Sequence, residues 1–457
     1  MSEKEAVSTQ KKVPKRVMLA WPTLTISTSV AATLFGYATL YATDVMGLSA
    51  VTVGIVFMVS KIFDGFTDLV AGFLIDKTNT KMGKGRPWQF GIIGYWVSLV
   101  LMFCAPEMGI TPSVIYLFVT YTLVNSVFLT MINCSDPVYL GNALDDSQQS
   151  VSVLSFTGFI AMLFTMVAAI IVPQLITSLG VNREGFRMLA FILAIPCGLV
   201  SMIRIMVVKE KKNGSAAAQS VSFKDMVKLL MSNKYILLFA LAILISNIGS
   251  NSYATAQTYF YQWIYGDLGI GSIMSLSMLP IIIVIMLMPA LSKKFGFVNT
   301  IRVTTLIGIV GYLMRLFNLH SLLLLFVSNI LSMMGFYTMF AFAATFVIDC
   351  IDYGEWKTGV RSEGTLSSAQ SVTAKIGTAV GAGMIGVLMG LSGYEGTAQV
   401  QVQSANTMII MLYSVVPAIL CAVQFIILKV YDLDKLLPQI RKDLAQKHGA
   451  SSETQES

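Results

Sequence analysis

The sequence predicts an all-α membrane protein of twelve transmembrane helices arranged as two six-helix bundles. Three observations carry this expectation. The 457 residues are 55% hydrophobic and only 12% charged, against about a quarter charged in an ordinary soluble domain. Apolar runs of roughly 20 residues, the length that crosses a hydrocarbon layer, recur from Val17 to Val430. One long polar stretch, KEKKNGSAAAQSVSFKDMVKLLMSNK (209–234), divides those runs six and six, and its Gly, Ser, Ala and Lys content is that of a linker.

The spans are expected at 17–42, 49–75, 88–106, 112–141, 152–177 and 186–208, then at 233–262, 269–292, 298–318, 321–348, 364–391 and 405–429. They group into an N-terminal bundle (17–208) and a C-terminal bundle (233–430). Around them lie a tail (1–16), a central linker (209–232) and a second tail (431–457). The opening stretch MSEKEAVSTQKKVPKR is polar and basic, and the apolar run after it is too long for the core of a cleaved signal peptide.

Orientation follows from charge. Most of the 31 Lys and Arg residues fall in the N-terminal tail, loop 77–86, the central linker, loop 293–302, loop 357–361 and the C-terminal tail, all on one side. The opposite loops, among them TDVMGLS, APEMGITPS and GLSGYEGTAQ, carry almost none, with Arg183 and Arg187 as exceptions. Loop 142–150 (NALDDSQQS) has no basic residue although it lies on the basic side. The asymmetry puts both termini in the cytoplasm of a multi-pass protein of the cell membrane, and a bacterial cytoplasmic membrane is the expected location. The net charge of +7 is therefore a topology signal and not the footprint of a nucleic-acid binder. Cys104, Cys134, Cys197, Cys350 and Cys421 lack metal-site spacing and read as small apolar filler.

Charges inside spans point to function, because each costs at least a few kcal/mol at bilayer depth and tends to face a cavity. On the second span Lys61, Asp64 and Asp68 are three and four residues apart, so they share one helix face. Two carboxylates so placed wrap a small hard cation or share a proton, with Thr67 one step round as a neutral oxygen. The plainer reading is a Lys61–Asp64 ion pair. Lys375 is a second intramembrane charge, on a span whose Gly377, Gly381, Gly383 and Gly386 form a face for close helix packing. It reads either as a partner for the aspartates or as part of a coupling device. Arg204 and Arg315 lie near enough to span ends to snorkel. Asp136 lines a cavity or caps a helix break before Pro137. Tyr37, Tyr41 and Tyr139 are candidate substrate-stacking rings.

No phosphate loop of the Gly-x-x-x-x-Gly-Lys-Ser/Thr type occurs, which argues against ATP drive. His320 and His448 stand alone, and nothing nominates a catalytic nucleophile, so no enzyme is expected. Six spans on either side of a long linker is the plan of major-facilitator transporters, whose substrates bind near the midplane.

Several stretches resemble the glycoside–pentoside–hexuronide:cation symporters, the family of the melibiose and glucuronide carriers. They are YATDVMGLS (41–49), FDGFTD (63–68), the stretch from Asp76 to Trp88, DYGEWKTGVRSEG (352–364), Lys375 and GLSGY (390–394). They occur in the family's order along nearly the whole chain. The resemblance implies cation symport of a glycoside or hexuronide by alternating access, with H⁺ or Na⁺ as coupling ion and no other cofactor. It makes Asp64 and Asp68 the cation-site carboxylates, with Thr67 where the family has asparagine. Lys61 stands for the span-two arginine, and Lys375 for the lysine between the cation and sugar sites. Thr28, Tyr37, Asn133, Asp136, Tyr139, Gln370 and Lys375 are the implied substrate contacts.

The sugar-binding pattern departs from the family. The melibiose carrier's first-span aspartate falls near Thr28 or Ser29. Its span-five arginine has no counterpart, since no Lys or Arg occurs between Arg86 and Arg183. The fourth-span motif reads NCSDPVYLGN in place of the usual Asn-Ile-Pro-Tyr-Gly. The alternative expectation is therefore a symporter of the same fold for a non-sugar, an organic anion or a lysolipid.

Overall fold

A computed structural model describes residues 13–144, 147–210, 234–280, 287, 291–292, 294–358 and 363–453. It is all-helical apart from loops and an isolated Thr80–Gly83 bridge among those residues. The first six helices are α1 (Lys15–Val45), α2 (Ala50–Lys77), α3 (Gly91–Phe103), α4 (Ile110–Ala143), α5 (Ser147–Leu179) and α6 (Arg183–Val207). After them come α7 (Lys234–Tyr265), α8 (Ile270–Ser275), α9 (Phe297–Met314), α10 (Leu322–Ala341) and α11 (Ala343–Thr358). The last four are α12 (Glu363–Leu391), α13 (Gln403–Tyr413), α14 (Val415–Val430) and α15 (Leu437–Glu453).

Ten helices among the described residues are long and apolar enough to cross a membrane. The expected third span shortens to the 13 residues of α3, entered through a tight turn at Arg86–Phe90. The expected eighth span runs past α8 into residues that are not described, as do the central linker beyond Glu210 and the tail before Val13. The expected tenth span breaks at Phe342 and continues as α11.

The chain forms two compact units: Met1–Leu48 with Ile62–Ala217, and Ser49–Lys61 with Ala218–Ser457. In the first, α1 packs on α5 and α6, and α3 packs between α6 and the middle of α4. Proline distorts three of these helices, at Pro137, Pro173 and Pro196. Trp21, Tyr139, Leu140, Ala143 and Val208 seal one end of the unit.

Arg204 belongs to that seal, which corrects its expected snorkelling. It is fully buried, its guanidinium 3.6 Å from the Trp21 ring centroid and paired with Asp136. Ring face and carboxylate together compensate the charge, so the side chain has no need to reach the interface.

In the second unit, α7 packs on α12 and α14, and α9 packs on α10 and α14. Gly308 and Gly335 let α9 and α10 meet backbone to backbone; a Cβ at Gly308 would lie 2.5 Å from the Gly335 Cα. Arg315 also fails to snorkel. It is fully enclosed by the rings of Tyr413 (4.1 Å), Tyr253 (4.9 Å) and Tyr312 (5.2 Å). Its guanidinium donates to the Ser328 hydroxyl, the Tyr413 carbonyl, Asn329 Oδ1 and the Ser332 hydroxyl. Nearby hydroxyls, a carbonyl and π faces thus do the work of a carboxylate.

The amphipathic α15 docks under this unit. Leu437, Ile440 and Leu444 join the core made by Tyr235, Phe346, Leu428 and Tyr431. Arg441 bonds Asp349 at 2.9 Å and Asp352 at 3.0 Å, and Trp356 donates to Asp443 at 2.9 Å. Desolvation raises the Asp349 carboxyl to about 6, more than Arg441 lowers it.

Candidate functional site

The candidate cation site is built on α2 and α4. Asp64 is buried within the membrane-crossing stretch of α2. A buried carboxylate needs hydrogen-bond donors, and Ser126 Oγ supplies one to Asp64 Oδ1. Ser126 is placed by a π-helical segment, Leu123–Leu129, inserted in α4. The wider turn re-aims side chains that a regular helix would carry elsewhere, a device frequent at functional sites. Asn125, beside Ser126, is buried, and its Nδ2 has no hydrogen-bond partner among the described residues. Such an orphaned donor is costly in a dry interior.

Asp68 and Thr67 are half-buried one turn along the same helix. The Thr67 hydroxyl donates to the carbonyls of Phe63 (3.1 Å) and Asp64 (3.2 Å), which leaves its oxygen as an acceptor only. Asp64 and Ser126 are thus in contact, with Thr67 bonded to the Asp64 carbonyl and Asp68 one turn along the same helix; carboxylate and hydroxyl oxygens are hard donors of the kind that Na⁺ or a shared proton takes. Among the described residues no group of three His, Cys, Asp or Glu side chains could hold a metal ion. Lys61 and Lys375 are both half-buried, Lys61 on α2 and Lys375 on α12.

The implied substrate residues divide. Thr28 is half-buried on α1, its hydroxyl donating to the Thr25 carbonyl at 3.1 Å. Tyr37 is half-buried where α1 bends after Gly36. Asn133 is exposed on α4, and Gln370 is half-buried where the span in α12 begins.

Tyr139 and Tyr41 are corrected. Tyr139 is fully buried, donating to the Val208 carbonyl at 2.7 Å with its ring 5.0 Å from Trp21. Tyr41 is buried between Phe103 and Phe186, its hydroxyl donating to the Phe103 carbonyl at 3.0 Å. Neither ring offers a free face to a sugar. Asp136 likewise spends its carboxylate on Arg204 instead of a cavity.

Ser126 and Asn125 were not anticipated from the sequence. A polar pair inside the apolar run LVNSVFL was the available signal, but the π-turn that aims it has no signature in residue order.

Comparison with known proteins then defines the class. The family model described as MFS/sugar transport protein matches residues 19–435, so the chain belongs to that family of multi-pass membrane transporters. The isoprimeverose transporter of Lactiplantibacillus pentosus is 29% identical over 422 residues, covering 90% of this chain and 87% of the relative. The putative glycoside/cation symporter YagG of Escherichia coli (strain K12) is 27% identical over 444 residues, 92% of each. The glucuronide carrier protein homolog of the same organism is 26% identical over 409 residues, 88% of each. These relatives uphold the glycoside–pentoside–hexuronide:cation symporter resemblance.

Among solved structures, the nucleoside transporter NupG aligns with TM-score 0.63 at 15% identity, covering 90% of this chain and 98% of that one. A bacterial homolog of the lysosomal transporter Spinster aligns with TM-score 0.64 at 13% identity, covering 93% and 99%. At such identity these two speak for the fold alone. Family and neighbours are transporters, not enzymes.

Proposed function

We propose that this protein is a secondary active symporter carrying a glycoside or hexuronide together with H⁺ or Na⁺. The observation that carries the reading is the buried Asp64 carboxylate, held by Ser126 inside a membrane-crossing helix with Asp68 one turn away. With no cation bound, two nearby carboxylates repel each other. Docking of Na⁺ or a proton relieves that repulsion and stabilises the conformation that binds sugar. Coupling is the difference in sugar affinity between the cation-loaded and cation-free protein, and linkage makes it reciprocal. Lys61 and Lys375 act in this scheme as positive charges that substitute when the cation leaves. Twelve spans in two bundles, 17–208 and 233–430, rock to expose the substrate alternately, with both termini in the cytoplasm.

The relatives named for isoprimeverose, glycosides and glucuronides favour a sugar. The test is accumulation in proteoliposomes of isoprimeverose, p-nitrophenyl β-D-glucuronide, p-nitrophenyl α-D-xyloside and a lysophospholipid, driven by a Na⁺ gradient or by an acid pulse. Wild type is expected to accumulate at least one glycoside. Asp64→Asn and Asp68→Asn should abolish accumulation while sparing exchange down a gradient. Accumulation that persists in both variants refutes the site, and accumulation of the lysolipid alone replaces the substrate class.

A further inference from the structure

Among the described amides of the second unit, two pairs contrast informatively. Asn329 and Gln424 are fully buried and bonded at both ends. Asn329 donates to Ser277 Oγ at 2.7 Å and accepts from Tyr253 and Arg315. Gln424 donates to the Gly335 carbonyl at 3.0 Å and accepts from Ser246 at 2.7 Å. Saturation of both ends is what a structural amide needs in a dry interior.

Asn247 and Asn251 on α7 are built otherwise. Each Nδ2 donates to the carbonyl one turn back, Ile243 at 2.8 Å and Asn247 at 2.9 Å. Neither Oδ1 accepts a hydrogen bond among the described residues, and both side chains are only half-buried. The two lie four residues apart, so they share a face, and they sit at the middle of the Lys234–Tyr265 span.

Their orientation is fixed from across the helix pair. A Cβ added at Gly377 of α12 would lie 2.7 Å from the Asn247 Cβ, and one at Gly381 3.2 Å from the Asn251 Cβ. Asn251 Nδ2 also approaches the Thr378 hydroxyl at 3.5 Å, and that hydroxyl itself donates to the Ala374 carbonyl at 3.0 Å. One N–H of each amide is used within α7, while neither carbonyl oxygen accepts a hydrogen bond among the described residues at mid-membrane depth. Carbonyl acceptors left open there, where lipid offers no donor, call for a ligand that brings its own.

We infer that Asn247 and Asn251, with Thr378 beside them, form a hydroxyl-reading surface for the neutral, polyol part of the substrate. A sugar ring donates O–H groups to both oxygens. A carboxylate, which only accepts, leaves both amide oxygens unpaired, so the pair favours the hydroxyl-bearing part of a hexuronide over its charged end. This rests on the glycoside reading above and adds the contact from the second unit.

The test is equilibrium binding to purified full-length protein. The probes are isoprimeverose, p-nitrophenyl β-D-glucuronide, and p-nitrophenyl α-D-xyloside with its 2-, 3- and 4-deoxy derivatives. Asn247→Ala and Asn251→Ala should each weaken glycoside binding about 5- to 10-fold, as expected for one neutral hydrogen bond. Na⁺ or proton binding and thermal stability should stay at wild-type values. At least one deoxy xyloside should bind wild type more weakly, with that penalty vanishing in one Asn variant. If either variant fails to fold, Asn247→Ser and Asn251→Ser, which shorten the acceptor, should show the same loss of deoxy discrimination. Deoxy penalties equal in wild type and variants overturn this inference and leave the symporter reading intact. A wild type that binds none of the glycosides overturns both.

Discussion

Replacing Glu210 with glutamine removes a charge while nearly preserving shape, and the consequence can be worked from four hydrogen bonds. Glu210 follows α6 and reaches the loop after α2. Its Oε2 accepts from the Lys84 backbone N–H at 2.8 Å and from Asn142 Nδ2 at 2.9 Å, and its Oε1 accepts from the N–H groups of Gly85 (2.8 Å) and Arg86. Gly85 is required there because a Cβ would sit 2.6 Å from the Tyr139 nitrogen. Glutamine keeps one acceptor oxygen and presents N–H groups to the other two donors. A hydrogen bond to a charged group contributes about 1.5–3 kcal/mol. Two such bonds are lost at a half-buried site that water partly repairs, so about 3 kcal/mol is expected. At 1.4 kcal/mol per decade this is roughly 100-fold. Amide hydrogen exchange of the purified protein reads it directly. Residues 84–86 should exchange about 100-fold faster in the variant, with α6 unchanged until global unfolding. Glu210→Asp, which keeps the charge but shortens the reach, should fall between. Unchanged protection of residues 84–86 in Glu210→Gln would show that the carboxylate does not organise this loop.

Other perturbations have equally definite outcomes. Arg315→Met strands the neutral acceptors gathered round the guanidinium, and each buried acceptor left without a donor costs about 1–3 kcal/mol. Arg315→Lys should rescue little, because an ammonium lacks the planar fork that serves several acceptors at once; thermal unfolding and monodispersity in detergent measure both. For Asp349 the sign is set by a folded-state value raised from 3.8 to about 6. The folded protein then holds the proton more tightly than the unfolded chain, so stability rises as pH falls through 6 toward 4. The gain is on the order of 2 kcal/mol after discounting for solvent. It should be absent in Asp349→Asn, and melting curves of both proteins between pH 7 and 4 compare them.

Much of this molecule is written in residue type. Ten of the expected spans were legible because bilayer length and hydropathy leave few alternatives, and Asp64 and Asp68 stood out because charge inside an apolar run is conspicuous. What hid was anything decided by a partner distant in sequence. Arg204 and Arg315 resemble snorkelling residues until Trp21, Asp136 and the tyrosines are placed round them. Tyr139 resembles a stacking platform until Val208 takes its hydroxyl and Trp21 takes its ring face. Ser126 became visible only through a π-turn, a backbone event with no marker in composition. Asn247 and Asn251 are ordinary polar residues until their donors are traced and their acceptors found open.

The docking of α15 bears on the order of assembly. Every residue that seals the first unit, from Trp21 to Val208, has been synthesised by mid-chain, so that half can be completed while the rest is still being made. The second half waits for Leu437, Ile440 and Leu444, which follow the last helix of its core. A truncation just before them would leave a finished front and an open-ended back, and a degradation machinery that samples exposed apolar surface would read the difference.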